Sequence, residues 1–209
     1  MKFHIPTTIS INGMSSSGKT HFLIKLLKYK EHLFDKPISK ILYCYSLWTK
    51  EFDDIERSMD ISFHKNLPNE DLISKFVDGK QCVIIIDDMM DLVMKSEYVQ
   101  NLFTRGSHHQ NLTIIYLSQN LFSQGKTART IGLNTHYIIL MKNLRDVNQI
   151  KHLGRQLGMS HTLSEAYQDV MKKPYAYLIV DLSPHNYEPY KLYTNIFPQD
   201  GYPIVYLPV

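Results

Sequence analysis

Apolar positions along this chain fall into two periods. TTISIN (7–12) alternates as a half-buried strand does, and HFLIKLLKY (21–29) repeats its apolar residues at helical spacing. ISKILYCYSLW (38–48) reads as a second strand, and ISFHK (61–65) as a short one. Pro68 and the acids of NEDLISKFV open a helix near Asn69. CVIIID (82–87) is a continuous apolar run, the pattern of a central parallel strand covered on both faces. A helix over 96–105, a strand over 112–117, a strand over 136–141 and a helix over about 146–157 follow. PYAYLIVDL (174–182) is a further strand, and within 183–209 EPYKLYTNIF adds an edge strand before a proline-broken tail. The segment EFDDIERSMD reads as polar surface. Strands alternating with helices, joined by connections long enough for parallel crossovers, predict an α/β fold.

A chain of 209 residues, 44% hydrophobic, has room for one domain with a sizeable core, so 1–209 is read as a single unit. Its longest apolar runs are strand-sized, which predicts no membrane span. The N-terminal residues carry no apolar segment ending in a small-residue cleavage site, and an intracellular protein is expected. Cys44 and Cys82 both lie inside apolar strand patterns and read as buried hydrophobes in a reducing compartment. A net charge of +3 is too small to diagnose a nucleic-acid partner.

Chemistry enters at Gly13–Thr20, GMSSSGKT, which fits G-x-x-x-x-G-K-[ST] between the first strand and the first helix. Gly13 and Gly18 permit backbone angles closed to other residues. The N–H groups of Met14, Ser15, Ser16, Ser17 and Gly18 can then turn toward phosphate oxygens, Lys19 adds charge, and the Thr20 hydroxyl can ligate Mg²⁺. Asp87, ending the apolar strand, is placed to hold Mg²⁺ through its water shell. Asp88 follows where a water-activating carboxylate is expected, with Asp91 one turn later as the competing base. LTIIYLSQN (112–120) ends in a polar tip. If its strand lies between those of the phosphate loop and Asp87, Gln119 projects beside a γ-phosphate as a sensor.

The adjacent pair His108 and His109 lacks the spaced partners a zinc site needs. Lys142, Arg145, Lys151 and Arg155 read equally as a DNA-facing group or a solvated helix face. The tyrosines from Tyr175 to Tyr206 read as core packing or assembly contacts rather than base-stacking groups.

Taken together, GMSSSGKT, VIIIDDMM, TRGSHHQNLTIIYLSQNLF, RTIGLNTHYIILMKNLRD and PYAYLIVDLSPH resemble the FtsK–HerA superfamily. Within it the chain is most similar to the genome-packaging ATPases of large eukaryotic DNA viruses and of Polinton/Maverick-type elements. The resemblance covers most of the chain and departs at Asp88, where several branches carry glutamate. It implies a three-layer α/β/α P-loop NTPase of the RecA/ASCE type with a mainly parallel central sheet. It also implies ATP and Mg²⁺ as cofactors, and a motor driving double-stranded DNA into a preformed capsid.

Arginine fingers from a neighbouring subunit are implied too, with Arg105 the first candidate and Arg129, read as lying in a turn, the second. The implied partners are double-stranded DNA, capsid proteins and further copies of the chain in a pentameric or hexameric ring. The implied place is the viral assembly site, in nucleus or cytoplasm, or the virion. Two other functions fit a phosphate loop: a small nucleotide or metabolite kinase, against which the absence of a dense arginine lid in the sequence argues, and a nonenzymatic nucleotide-dependent switch.

Overall fold

A computed structural model describes residues 1–106, 111–122, 125–144, 147–187 and 190–208, with the side chains of Glu51 and Arg105 outside the description. His108, His109 and Arg145 also lie outside the described residues.

The strands are β1 (Thr8–Asn12), β2 (Lys40–Tyr45), β3 (Ser62–Lys65), β4 (Cys82–Asp87), β5 (Leu112–Ser118), β6 (Tyr137–Met141), β7 (Tyr177–Asp181), β8 (Leu192–Thr194) and β9 (Ile204–Tyr206). They form one sheet in the order β3-β2-β4-β5-β1-β6-β7-β8-β9. From β3 to β6 every pairing is parallel. β7, β8 and β9 extend the sheet with antiparallel pairings. The sheet is mainly parallel as expected, but the expectation of parallel crossovers throughout fails at β7. The strand read as the edge, β8, lies between β7 and β9, and the supposed tail itself supplies the edge strand β9.

Helices cover both faces. On one side α1 (Lys19–Lys28) and α3 (Lys50–Ser58) pack Phe22, Leu26, Phe52 and Ile55 against Ile9, Ile11, Val83, Ile85 and Ile115. Between them in the chain lies the short α2 (Lys30–Leu33). On the other side α4 (Glu70–Phe76), α5 (Met90–Val93), α6 (Glu97–Asn101), a π-helical turn (Leu102–Gly106) and α7 (Lys126–Leu133) cover β2, β4 and β5 through Ile73, Val93, Val99, Phe103 and Ile131. The same face of β6 and β7 is covered by α8 (Val147–Gln156) and α9 (Ser160–Val170), through Ile150, Leu153, Leu163 and Tyr167. Burial on both faces explains the continuous apolar runs of β4 and β5.

The segment read as polar surface is α3. Only Phe52 and Ile55, three residues apart, reach the core, while the rest of the helix carries the charge that masked it. Asn69 caps α4 as expected, its side chain accepting from Leu72 N at 2.9 Å. Cys44 and Cys82 are buried free thiols, and burial pushes the Cys44 thiol up to about 12.

Candidate phosphate-loop site

Register sets the ends of three neighbouring strands level. Asn12 pairs with Ser118 and Asp87 with Leu117, so β5 stands between the phosphate-loop strand β1 and the aspartate strand β4. The condition under which Gln119 reaches the site is therefore met.

Beyond β1 the loop is pinned to its neighbours by backbone hydrogen bonds. Gly13 N donates to Ser118 O at 3.2 Å, Met14 N to Lys142 O at 3.4 Å, and Ser17 N to Met14 O at 3.2 Å. The glycines are required for different reasons. Gly18 has φ +97°, a conformation that favours glycine, and it passes the chain into α1. Gly13 is not in that region, contrary to the expectation from sequence. It is needed because a Cβ there would lie 2.6 Å from Ser17 Oγ and 2.9 Å from Met141 Cβ. Ser16 is left-handed at φ 60°, and Ser15 and Ser16 are exposed. Ser17 is buried with no hydrogen-bond partner for its Oγ among the described residues.

Lys19 folds back across the loop, its Nζ donating to Gly13 O at 2.8 Å and Met14 O at 3.1 Å. Burial lowers its pKa below the ordinary lysine value, opposed by the nearby carboxylates of Asp88 and Asp87. Thr20 follows in the first turn of α1, half-buried.

Asp87 accepts a 2.7 Å hydrogen bond from the hydroxyl of Tyr43, a fully buried residue two positions before the register partner of Asp87 on β2. Nothing in the sequence marked Tyr43 except a hydroxyl inside an apolar strand. Asp88 is left-handed at φ 52°, a conformation aspartate tolerates better than most side chains. Its Oδ2 accepts from Gln119 Nε2 at 3.3 Å, and both residues are exposed. Asp91 lies exposed in the first turn of α5. Thr20 and Asp87 offer hard oxygen donors, a set that fits Mg²⁺.

Of the arginines, Arg105 has its backbone in the π-helical turn and its side chain outside the described residues. Arg129 lies exposed on α7, not in a turn. Lys151 and Arg155 are exposed one turn apart on α8, whereas Lys142 is half-buried beside the loop it supports. Among the described residues no helix is long and apolar enough to cross a membrane.

No protein-family model and no curated protein matches the chain. Solved structures do. One is the genome packaging NTPase B204 from Sulfolobus turreted icosahedral virus 2 in complex with ATP-gammaS, with TM-score 0.52, 16% identity and 98% of each chain covered. The cytoplasmic domain of the type VII secretion ATPase EccC from Thermomonospora curvata gives TM-score 0.55 and 13% identity, over 91% of this chain and 25% of that one. ATPases 2 and 3 of EssC from Geobacillus thermodenitrificans give TM-score 0.58 and 12% identity, over 98% of this chain and 40% of that one. At these identities the likeness is one of fold. The fold is that of P-loop NTPases, and the resemblance to the FtsK–HerA superfamily and its packaging ATPases holds at that level.

Proposed function

We propose that this chain hydrolyses ATP at the phosphate loop and couples hydrolysis to translocation of double-stranded DNA, packaging a viral genome into a preformed capsid. The observation that carries the reading is the insertion of β5 between β4 and β1, which brings Gln119 onto Asp88 beside the loop. A kinase needs no amide and carboxylate paired at that place, whereas hydrolysis needs a water both activated and oriented there. The end-to-end likeness in fold to a viral genome packaging NTPase supports the packaging assignment.

In this reading the loop N–H groups and Lys19 hold the phosphates. The Lys19 ammonium exchanges its bonds to Gly13 O and Met14 O for phosphate oxygens. Thr20 and Asp87 would hold Mg²⁺, with Tyr43 fixing the Asp87 carboxylate. Bound Mg²⁺ supplies charge neutralisation along the phosphates. Asp88 takes the proton from a water that Gln119 orients. The water oxygen bonds to the γ-phosphorus, the bond to the β–γ bridging oxygen breaks, and ADP leaves with that electron pair. Asp88 is favoured over Asp91 as base because Asp88 bonds Gln119 and acts on Lys19. Arg105 or Arg129 of a neighbouring copy in a pentameric or hexameric ring supplies the finger, and Lys151 and Arg155 face DNA phosphates. Capsid proteins are the remaining partners, at the viral assembly site.

Displacement of a third strand from a triplex on linear double-stranded DNA tests the motor directly. Displacement that requires ATP and is lost in Asp87→Asn supports it. Hydrolysis without displacement by assembled rings contradicts translocation.

A further inference from the structure

A cavity of about 980 Å³ adjoins the phosphate loop on the α1 side of the sheet. One wall is the loop end and α1, including Gly18 and His21, and the other is the chain entering β7 together with the segment after β8, including Tyr175 and Asn195. The hydrolytic groups Asp87, Asp88 and Gln119 do not line it. The cavity thus leads away from where the γ-phosphate reacts.

Two of its residues are held in unusual backbone conformations. Tyr175 has φ 56° and Asn195 φ 58°. A bulky aromatic residue in that region is an outlier costing about 1–3 kcal/mol, which persists where its surroundings over-determine it. Tyr175 is also 68% exposed, so core burial does not explain its position. Its ring lies against the loop: a Cβ built on Gly18 would sit 3.2 Å from Tyr175 Cδ1.

The opposite wall is braced. Phe197 is buried against Phe22 and Tyr177, with Lys25 over its ring. The Tyr177 hydroxyl donates to Asp200 and accepts from Ile196 N at 2.7 Å. Asn195, just before this braced turn, is half-buried on the same cavity.

We propose that this cavity is the nucleobase subsite, in which Tyr175 is the stacking platform and the Asn195 amide reads the base edge, favouring adenine. The inference rests on the nucleotide reading of the phosphate loop. A flat aromatic face suits any base, and an amide offers one donor and one acceptor, the complement of adenine's amino group and adjacent ring nitrogen. Strain at Tyr175 holds its ring over Gly18, where the base of a nucleotide whose phosphates fill the loop can reach it.

Binding of ATP, UTP and inorganic tripolyphosphate to wild type, Tyr175→Gly, Tyr175→Phe and Asn195→Ala tests this. Glycine relaxes the left-handed backbone, so Tyr175→Gly tests loss of the ring without a folding defect. The inference expects Tyr175→Gly to weaken ATP about tenfold or more while leaving tripolyphosphate unchanged, and Tyr175→Phe to bind ATP like wild type. Asn195→Ala is expected to narrow the preference for ATP over UTP. Equal ATP affinity in wild type and Tyr175→Gly overturns the subsite. Wild-type protein that binds neither ATP nor tripolyphosphate overturns the nucleotide reading itself.

Discussion

Gly13→Ala isolates the demand the fold places on the loop. The added Cβ meets Ser17 Oγ at 2.6 Å, Met141 Cβ at 2.9 Å and Ser17 Cβ at 3.3 Å, all inside ordinary carbon contact distance. The serine hydroxyl can rotate away, but Met141 Cβ is fixed to β6. The end of that strand is held by Tyr167, whose hydroxyl donates to Met141 O at 3.0 Å and accepts from Asn143 N at 2.9 Å. The loop must therefore lift, stretching Gly13 N to Ser118 O and Met14 N to Lys142 O. Overpacking of this kind costs about 1–3 kcal/mol, or roughly 2–12 °C in Tm for a chain of this size. Urea denaturation with an ATP titration measures both effects, and affinity should fall with stability. Adding Ser17→Ala removes only the 2.6 Å contact and should recover part of the loss. Gly132→Ala on α7 is the control: its Cβ meets nothing within 4 Å, so it should stabilise by about 0.4–1 kcal/mol. A Gly13→Ala protein with wild-type midpoint and wild-type ATP affinity would refute the reasoning.

Tyr43→Phe removes one oxygen and keeps the ring packing, so it should cost about 1–3 kcal/mol in denaturation and raise the Mg²⁺ needed for half-maximal hydrolysis. An unchanged Mg²⁺ dependence would remove Tyr43 from the site. Asp88→Asn should cut turnover at least about a hundredfold with ATP binding retained, and Asp91→Asn should not; the reverse order of rates would reassign the base. Because burial lowers the folded pKa of Lys19, the unfolded chain holds that proton to higher pH. Stability should thus gain from this group as pH rises through the folded value toward 10.5, and Lys19→Met should lose that increment in denaturation curves taken across the alkaline range. Matching alkaline slopes for the two proteins would contradict the assigned burial. Arg105→Ala should slow hydrolysis by an assembled ring while leaving nucleotide binding by an isolated subunit intact, whereas loss of binding by the subunit would place Arg105 in cis.

The parallel half of the fold was legible because burial on both faces writes β4 and β5 as unbroken apolar runs. The phosphate loop, Asp87 and the position of Gln119 were legible because their chemistry demands fixed residue types at strand ends. Direction was not legible at β7, since apolar periodicity carries no sign and only the pairing of Tyr137 with Asp181 reveals the reversal. Helix α3 was hidden by its charge, and α7 and α9 were passed over between stronger signals. Tyr43 and Tyr175 were beyond reach for another reason. Their significance comes from a cross-strand hydrogen bond and from a left-handed backbone angle, neither of which residue spacing encodes.

Steady-state ATP hydrolysis with Mg²⁺, with and without linear double-stranded DNA and with Lys19→Ala as control, tests the central claim most directly. The account predicts turnover that DNA stimulates and that Lys19→Ala abolishes. Turnover that DNA leaves unchanged, or that survives Lys19→Ala, would contradict it.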